Sequence, residues 1–384
     1  MRAAPTYYEF FAGGGMARAG LGPGWRCLFA NDFDAKKAAS YIANWGAGAF
    51  RLGDVHRLCV DDLPGRADLA WASFPCQDLS LAGNGAGLSG ARSGAFWGFR
   101  ALIAGLVAQR RAPKILALEN VVGALTSNGG ADFAALCASL VELGYCIGAL
   151  TIDAAHFTPQ SRPRLFIVAV LRAGAHDASL AGEAPAAPWA SLALTRAQAA
   201  LPRDVRAAWR WWRLPAPPLL NLRLGDILEE APADVVWGTT AETSRLLSLM
   251  AESHRIKLRA AQAAGGHIVG TLYRRTRRDA DGAKAQRAEA RFDGLAGCLR
   301  TPGGGSSRQF LLVVEGASVR SRLLSGRETA RLMGLPDSYI LPPRYTDAYH
   351  LTGDGVAVPA VRFLAENLLA RIAGGGSRFS IAAE

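Results

Sequence analysis

Six short apolar runs punctuate the first 171 residues: Tyr7 to Phe11, Trp25 to Ala30, Leu69 to Ser73, Lys114 to Leu118, Tyr145 to Ile152 and Arg164 to Val170. Between them, Gly94 to Gln109 and Asp132 to Leu143 carry helical spacing. This alternation predicts an α/β domain, a largely parallel sheet with helices on both faces. After residue 171 the periodicity weakens. Alanine, proline and tryptophan dominate AAWRWWRLPAPPLLNLRL at 207–224, and glycine clusters at 265–267 and 302–308 interrupt the chain farther on. A helix is expected at Gly326 to Met333, stopped by Leu335 and Pro336, and a last one at Val358 to Ala370 packs back on the first domain. The pattern therefore predicts a large domain at 1–171, a smaller irregular one at 172–348 and a returning segment at 349–384. No internal repeat is visible.

Composition narrows the class. With 384 residues, half of them hydrophobic, the chain is long enough for two cores and too apolar for global disorder. The net charge is +11, and residues 268–308 alone hold nine basic and four acidic side chains. Such an excess suits a polyanion, although basic proteins also carry spare surface charge. Of the 43 basic residues 38 are arginine, whose planar fork pairs with phosphate and guanine; GC-rich coding produces the same bias. The six cysteines, at 27, 59, 76, 137, 146 and 298, have neither metal nor disulfide-scaffold spacing, so no metal is expected. No signal peptide or membrane span is legible, and a reducing cytoplasm is the expected setting.

Several strand ends carry chemistry. In FFAGGGMARAGLG, residues 10–22, a strand runs into three glycines and then a helix, where backbone can approach a nucleotide-like ligand or simply turn tightly. Arg18 replaces the third glycine of a regular dinucleotide fingerprint. Asp32 and Asp54 end the next strands, in position to bind ribose hydroxyls and an adenine amine or to cap helices, and Phe33 offers a stacking surface. SFPCQDLS at 73–80 follows an apolar strand; the extended Phe74-Pro75 step projects Cys76, as a nucleophile or as a small hydrophobe. The glycine-rich stretch 80–94 reads as a closing loop or a surface linker. KILALENVVG delivers Glu119 and Asn120 to another strand end, an acid–base group or another helix cap. HFTPQSRPRLFIV at 156–168 sets Gln160, Arg162 and Arg164 at a strand start, the two arginines on one side and able to grip a base carbonyl and a phosphate.

Taken in order, these stretches resemble the conserved blocks of the DNA (cytosine-5) methyltransferases. FAGGGMARAGLG resembles the cofactor block, FPCQ the catalytic loop, LENV the glutamate block and PQSRPR the Q-x-R-x-R block. LLSGRETARLMGLPD at 323–337 and GDGVAVPAV at 353–361 resemble the last two. The resemblance spans about 7–171 and 320–370. It implies a Rossmann-like S-adenosylmethionine-dependent domain at 1–171, a target-recognition domain at 172–348 and a C-terminal segment returning to the first. It implies Cys76 as nucleophile toward C6 of a flipped cytosine, Glu119 at N3, and Arg162 and Arg164 holding base and backbone. The S-adenosylmethionine site would draw on Phe11, Ala12, Gly13, Gly14, Gly15, Met16, Asp32, Phe33, Asp54, Val55, Pro75, Asp354 and Val356, with S-adenosylhomocysteine as product. Substrate contacts would come from Gln77, Ser80 and Gln160. Arg274, Arg275, Arg277, Arg278, Arg300 and Arg308 are candidates for DNA contact, phosphate being the default.

Two residues depart from the family pattern: Met16 stands for a glycine, and Asp354 for an asparagine near the expected methyl group, where a carboxylate would disfavour anionic donor analogues. The implied partner is duplex DNA, acted on by a monomer in a bacterial or phage-infected cytoplasm, with or without a cognate restriction endonuclease. A tRNA cytosine-5 methyltransferase and a catalytically idle DNA-binding paralogue are the competing readings. The basic insert favours duplex DNA over the first, and Cys76, Glu119, Gln160, Arg162 and Arg164 together argue against the second.

Overall fold

The computed structural model describes residues 3–75, 94–172, 178–278, 282–301 and 308–374. Their contacts divide into two compact units, one built from 1–153, 163–217 and 358–384, the other from 154–162 and 218–357.

The first unit is organised by seven strands: β1 (Thr6–Phe10), β2 (Arg26–Asp32), β3 (Phe50–Leu52), β4 (Leu69–Ala72), β5 (Ile115–Val121), β6 (Tyr145–Asp153) and β7 (Pro163–Leu171). They order as β3-β2-β1-β4-β5-β7-β6. β1 to β5 pair in parallel, whereas β7 enters antiparallel between β5 and β6. The central strands are buried along their length, as a sheet covered on both faces requires. Helices α1 (Met16–Leu21), α2 (Ala35–Trp45), α3 (Ala95–Ala108) and α4 (Ala131–Glu142) link them. α2 starts where Asp34 accepts the backbone N–H groups of Lys36 and Lys37. α1 meets α11 (Val358–Leu364) so closely that a Cβ on Gly20 would fall 2.4 Å from Cβ of Val361. α11 runs on through a π turn at Ala365–Leu369, within the same unit.

The change of unit falls at 217/218 and 357/358, not at 171/172 and 348/349, and the reason is apolar burial. Residues 178–217 form β8 (Ala181–Gly182), α5 (Leu192–Ala199), α6 (Arg203–Ala207) and β9 (Trp211–Trp212). Leu194, Leu201, Val205, Trp209 and Trp211 belong to the same buried cluster as Phe133, Leu136 and Ile147. Trp212 donates its indole N–H to the carbonyl of Val168 at 3.1 Å. The tryptophan-rich stretch that reads as a composition break is an anchor onto the sheet.

The second unit contains α7 (Thr240–Ser248), α8 (Glu252–Ala264), a four-stranded antiparallel sheet, and two further helices, α9 (Gly326–Leu332) and α10 (Tyr345–Asp354). The sheet orders as β11-β10-β12-β13, from β10 (His267–Arg278), β11 (Lys284–Arg291), β12 (Phe310–Glu315) and β13 (Ser318–Leu323). Leu246 and Leu258 of the helices, and Met250 between them, pack with Leu272, Ala288, Ala290 and Leu312 on one face of it. This regular sheet was not announced by periodicity, because the second half of β10 is mostly arginine. α9 is fixed by a capping box between Ser325 and Glu328 and by a buried pair: Glu328 accepts both Arg322 terminal nitrogens, at 2.6 and 2.7 Å.

Truncating Trp209, which is buried among Phe133 and Trp211, should lower the unfolding free energy of the first unit by about 3–5 kcal/mol. Urea denaturation of Trp209→Ala measures this; a shift below about 1 kcal/mol would show that 178–217 is not part of that core.

Candidate active site

β1 delivers the chain to the glycine turn. Phe11 holds a positive φ of 58°, uncommon for a non-glycine residue, and Gly13 and Gly15 follow at 55° and 77°. Only glycine is tolerated at position 15, since a Cβ there would lie 2.3 Å from Nε1 of Trp45. The same indole donates to the carbonyl of Gly14 at 3.1 Å. Asp32, at the end of β2, ties the turn from the other side: its carboxylate accepts the N–H groups of Gly13 at 2.8 Å and Asp34 at 2.9 Å. Burial holds the Asp32 carboxyl above its ordinary range, against those bonds. Helix capping at this end falls to Asp34. Phe33 leaves its ring 68% exposed beside Asp32. Asp54 is exposed and accepts the N–H of His56 at 3.0 Å, so it does cap a short helix, with Val55 buried behind it. Ala12 and Met16 are buried, Met16 opening α1.

Beneath this turn sits a group the sequence reading passed over. Glu9, the next-to-last residue of β1, is fully buried, and neither carboxyl oxygen meets a hydrogen-bond partner in good geometry among the described residues. Desolvation pushes its pKa up to about 8, Arg18 offsetting part of the penalty and Asp32 adding to it. Its charge raises in turn the titration of Tyr7, Cys27 and Tyr41, each already raised chiefly by burial. An acidic residue inside an otherwise apolar strand, TYYEF, was the signal available.

The second half of the site lies at β4, β5 and β7. Trp71 donates to the hydroxyl of Ser73 at 3.0 Å, and Asn120 donates to the carbonyl of Phe74 at 3.3 Å. The backbone leading through Pro75 is thereby held to the strand end that carries Glu119. Cys76, Gln77 and Ser80, and most of the expected loop, lie outside the described residues. Glu119 pairs in register with Phe166, and Arg164 stands two residues earlier on β7, hence on the same face. Arg164 Nε lies 3.2 Å from Glu119 Oε1, with side chains only 15% and 9% exposed. The structure thus brings together two residues, far apart in the chain, that the sequence singled out separately.

Within the second unit, Gln160 and Arg162 are placed differently from the expectation that they grip substrate. Gln160 is fully buried, donating to the carbonyl of Leu332 at 3.0 Å and accepting the N–H of Leu299 at 3.0 Å. Arg162, also buried, donates to the carbonyls of Leu299 at 2.7 Å, Gly353 at 2.8 Å and Gly355 at 2.6 Å. Gln160 ties the 154–162 excursion to Leu299 and Leu332, and Arg162 ties it to Leu299 and the 353–355 segment, chiefly through backbone groups. Asp354 is exposed and accepts the Thr301 hydroxyl, while Val356 is buried. Of the candidate arginines, Arg274 lies over the Phe310 ring and Arg308 over Tyr345. Arg278 donates to Gly282, and Arg300 is exposed. Arg275 and Arg277 meet at Glu289, a residue the sequence did not single out.

A glycine turn and an acidic strand end at one edge of a mixed sheet, with a carboxylate–arginine pair farther along, define an α/β enzyme of the methyltransferase class. Residues 6–370 match the family model for C-5 cytosine-specific DNA methylases, and the chain belongs to that family. It is 26% identical over 370 residues to the type II methyltransferase M.DsaV of Dactylococcopsis salina, covering 95% of this chain and 86% of that one. It is 25% identical to M.HpaII of Haemophilus parainfluenzae, covering 96% and 90%. Its fold is similar to the Entamoeba histolytica methyltransferase EhMeth, with a TM-score of 0.61 at 11% identity over 98% of this chain and all of that one. It is likewise similar to S. pombe Dnmt2 methyltransferase, with a TM-score of 0.59 at 17% identity over 95% and 98%. The family's methyl-transfer chemistry implies S-adenosylmethionine as donor and DNA as substrate. No helix among the described residues is long and apolar enough to cross a membrane.

Glu9 makes stability depend on pH. Its folded pKa of about 8 lies above its ordinary 4.5, so its contribution is complete below pH 4.5 and is lost as pH rises through 8. Glu9→Gln should therefore gain roughly 3–5 kcal/mol over wild type at pH 9 and little at pH 5. Denaturant melts at the two pH values check this; a difference independent of pH would overturn it.

Proposed function

We propose that the protein methylates carbon 5 of a cytosine flipped out of a short duplex DNA sequence, through a transient covalent bond from Cys76 to carbon 6. The Glu119–Arg164 pair carries the reading. A carboxylate held at a strand end beside the backbone that enters Cys76 is suited to bond N3 of the ring. The arginine fixes it and restricts its rotation. A positive charge at Arg164 also suits the base carbonyl next to N3.

The glycine turn fits S-adenosylmethionine. At Gly13 open space lies where a side chain would stand, Phe33 exposes a ring for stacking, and Asp32 and Asp54 place carboxylates on either side of it in sequence. When bound, S-adenosylmethionine supplies an electrophilic methyl group. The protein's part is to add the Cys76 thiolate to carbon 6, raising electron density at carbon 5, and to hold N3 at Glu119. After transfer the carbon 5 proton leaves to a base, and the thiolate departs from carbon 6 as the double bond re-forms. Flipping is needed because carbon 6 is shielded within the stack. Phe11, Ala12, Met16, Val55, Pro75, Asp354 and Val356 are assigned to the cofactor side, and Gln77 and Ser80 to the DNA side. We assign Gln160 and Arg162 to holding backbone segments. The four-stranded sheet unit, whose β10 carries Arg274, Arg275, Arg277 and Arg278, is the proposed target-recognition part; duplex DNA suits its charge.

Bisulfite sequencing of plasmid from cells expressing the chain should show one short repeated methylated site, absent with Cys76→Ser. DNA carrying 5-fluorocytosine at that site should trap a covalent adduct in the presence of donor. Glu119→Gln should lower kcat by about 10²–10⁴. Methyl incorporation into tRNA but not duplex DNA, or no adduct with the fluorinated base, would refute the proposal.

A further inference from the structure

β10 and β11 pair directly, Tyr273 opposite Glu289 and Arg275 opposite Arg287. Residues directly opposite share a face, so Tyr273, Arg275, Arg277, Arg287 and Glu289 stand on one side of the ribbon. Leu272, Ala288 and Ala290 stand on the other, against α7 and α8. The first side is thus the one turned away from those helices, and Arg277 there is half exposed. Its composition is unusual for a sheet surface. Two arginines face each other across the strands. Among the described residues of the two strands, one carboxylate stands among the arginines. Glu289 accepts Nε of Arg277 at 2.9 Å and Nη2 at 2.5 Å through one oxygen, and the Tyr273 hydroxyl at 2.5 Å through the other. Arg275 Nη1 lies 4.0 Å from that second oxygen and its guanidinium 4.7 Å from the centre of the Tyr273 ring. Arg300 also acts on Tyr273 through its charge.

A surface meant only for phosphate gains nothing from a carboxylate, which repels the DNA backbone and ties up an arginine. What a carboxylate does supply is geometry. With Glu289 present, Arg277 and Tyr273 are fixed in position instead of free to follow any phosphate. Burial raises the Glu289 carboxyl, yet the bonds from Tyr273 and Arg277 bring it below its ordinary range, so it stays ionised at neutral pH.

We propose that Glu289 is a specificity-determining residue, positioning Arg277 and Tyr273 for a base edge and penalising duplexes that offer phosphate contacts alone. Arg275 and Arg287 are assigned to phosphate. This rests on the reading of the chain as a duplex-DNA methyltransferase.

The test compares full-length wild type, Glu289→Gln and Arg287→Ala on duplexes carrying the preferred site and every single-base-pair variant of it. Glu289→Gln should raise methylation of variant sites relative to the preferred one by about tenfold or more. It should also steepen the log–log salt dependence of duplex binding by about 0.9 per phosphate newly engaged. Arg287→Ala should weaken binding to all duplexes alike and flatten that slope, with the ranking of sites unchanged. A Glu289→Gln protein that melts like wild type and keeps the same ranking within about twofold overturns the proposal. Should that variant fail to fold, Tyr273→Phe and Arg277→Lys carry the same comparison, and an unchanged ranking in both overturns it equally. A wild type that methylates no duplex sinks this proposal and the underlying reading together; methylation with an unaltered ranking sinks this one alone.

Discussion

One strand that runs against its neighbours makes this site possible. β7 inserts antiparallel between β5 and β6, so its first residues meet the last residues of β5. In a wholly parallel sheet the start of one strand lies at the opposite edge from the end of the next, and Arg164 and Glu119 would be a strand length apart. The reversal brings them to 3.2 Å on one face. Such a pair, nearly closed to water, is worth more for fixing a side chain than for net stability, since desolvation offsets most of the attraction.

The same reversal dictates the path of the chain before β7. β6 ends at Asp153 and β7 begins at Pro163, and the residues between them, 154–162, belong to the other unit. They are tied there by main-chain bonds between Ser161 and Ala296 and between Ala296 and Pro159, and by the buried side chains of Gln160 and Arg162. A guanidinium can satisfy several carbonyls at once in fixed directions, and Arg162 is used in that way. Arg322 and Glu328 do comparable work around α9. The charged blocks that look reactive in a linear reading thus split into two kinds: those paired with each other at strand ends, as Glu119 and Arg164 are, and those spent on joining segments distant in sequence.

At the other end of the sheet the constraint is steric. Trp45 covers Gly15 so tightly that no side chain fits, and Asp32 is drawn into the turn by Gly13. Glu9 lies below, buried at a cost that a leucine would not incur. A carboxyl under the turn, coupled to Arg18 and Asp32, links proton uptake to the packing of this edge of the sheet.

The sequence by itself determined six of the seven strands of the large sheet and the location of the glycine turn, because fully buried strands must be continuous apolar runs and tight turns must be glycine. It also determined that Asp32, Glu119 and Arg164 stand at strand ends, and the family to which the blocks belong. Tertiary structure alone decided the rest. Strand direction leaves no local mark, so the pairing of Glu119 with Arg164 was invisible. Trp209 and Trp211 read as a composition break because their partners, Phe133 and Ile147, lie far back along the chain. Gln160 and Arg162 read as ligand-binding because polar residues beside proline look the same whether they face water or a distant carbonyl. Glu289 gave no signal at all: its meaning comes from the strand opposite, and register between strands is set by the packing of whole faces, which no window of sequence contains.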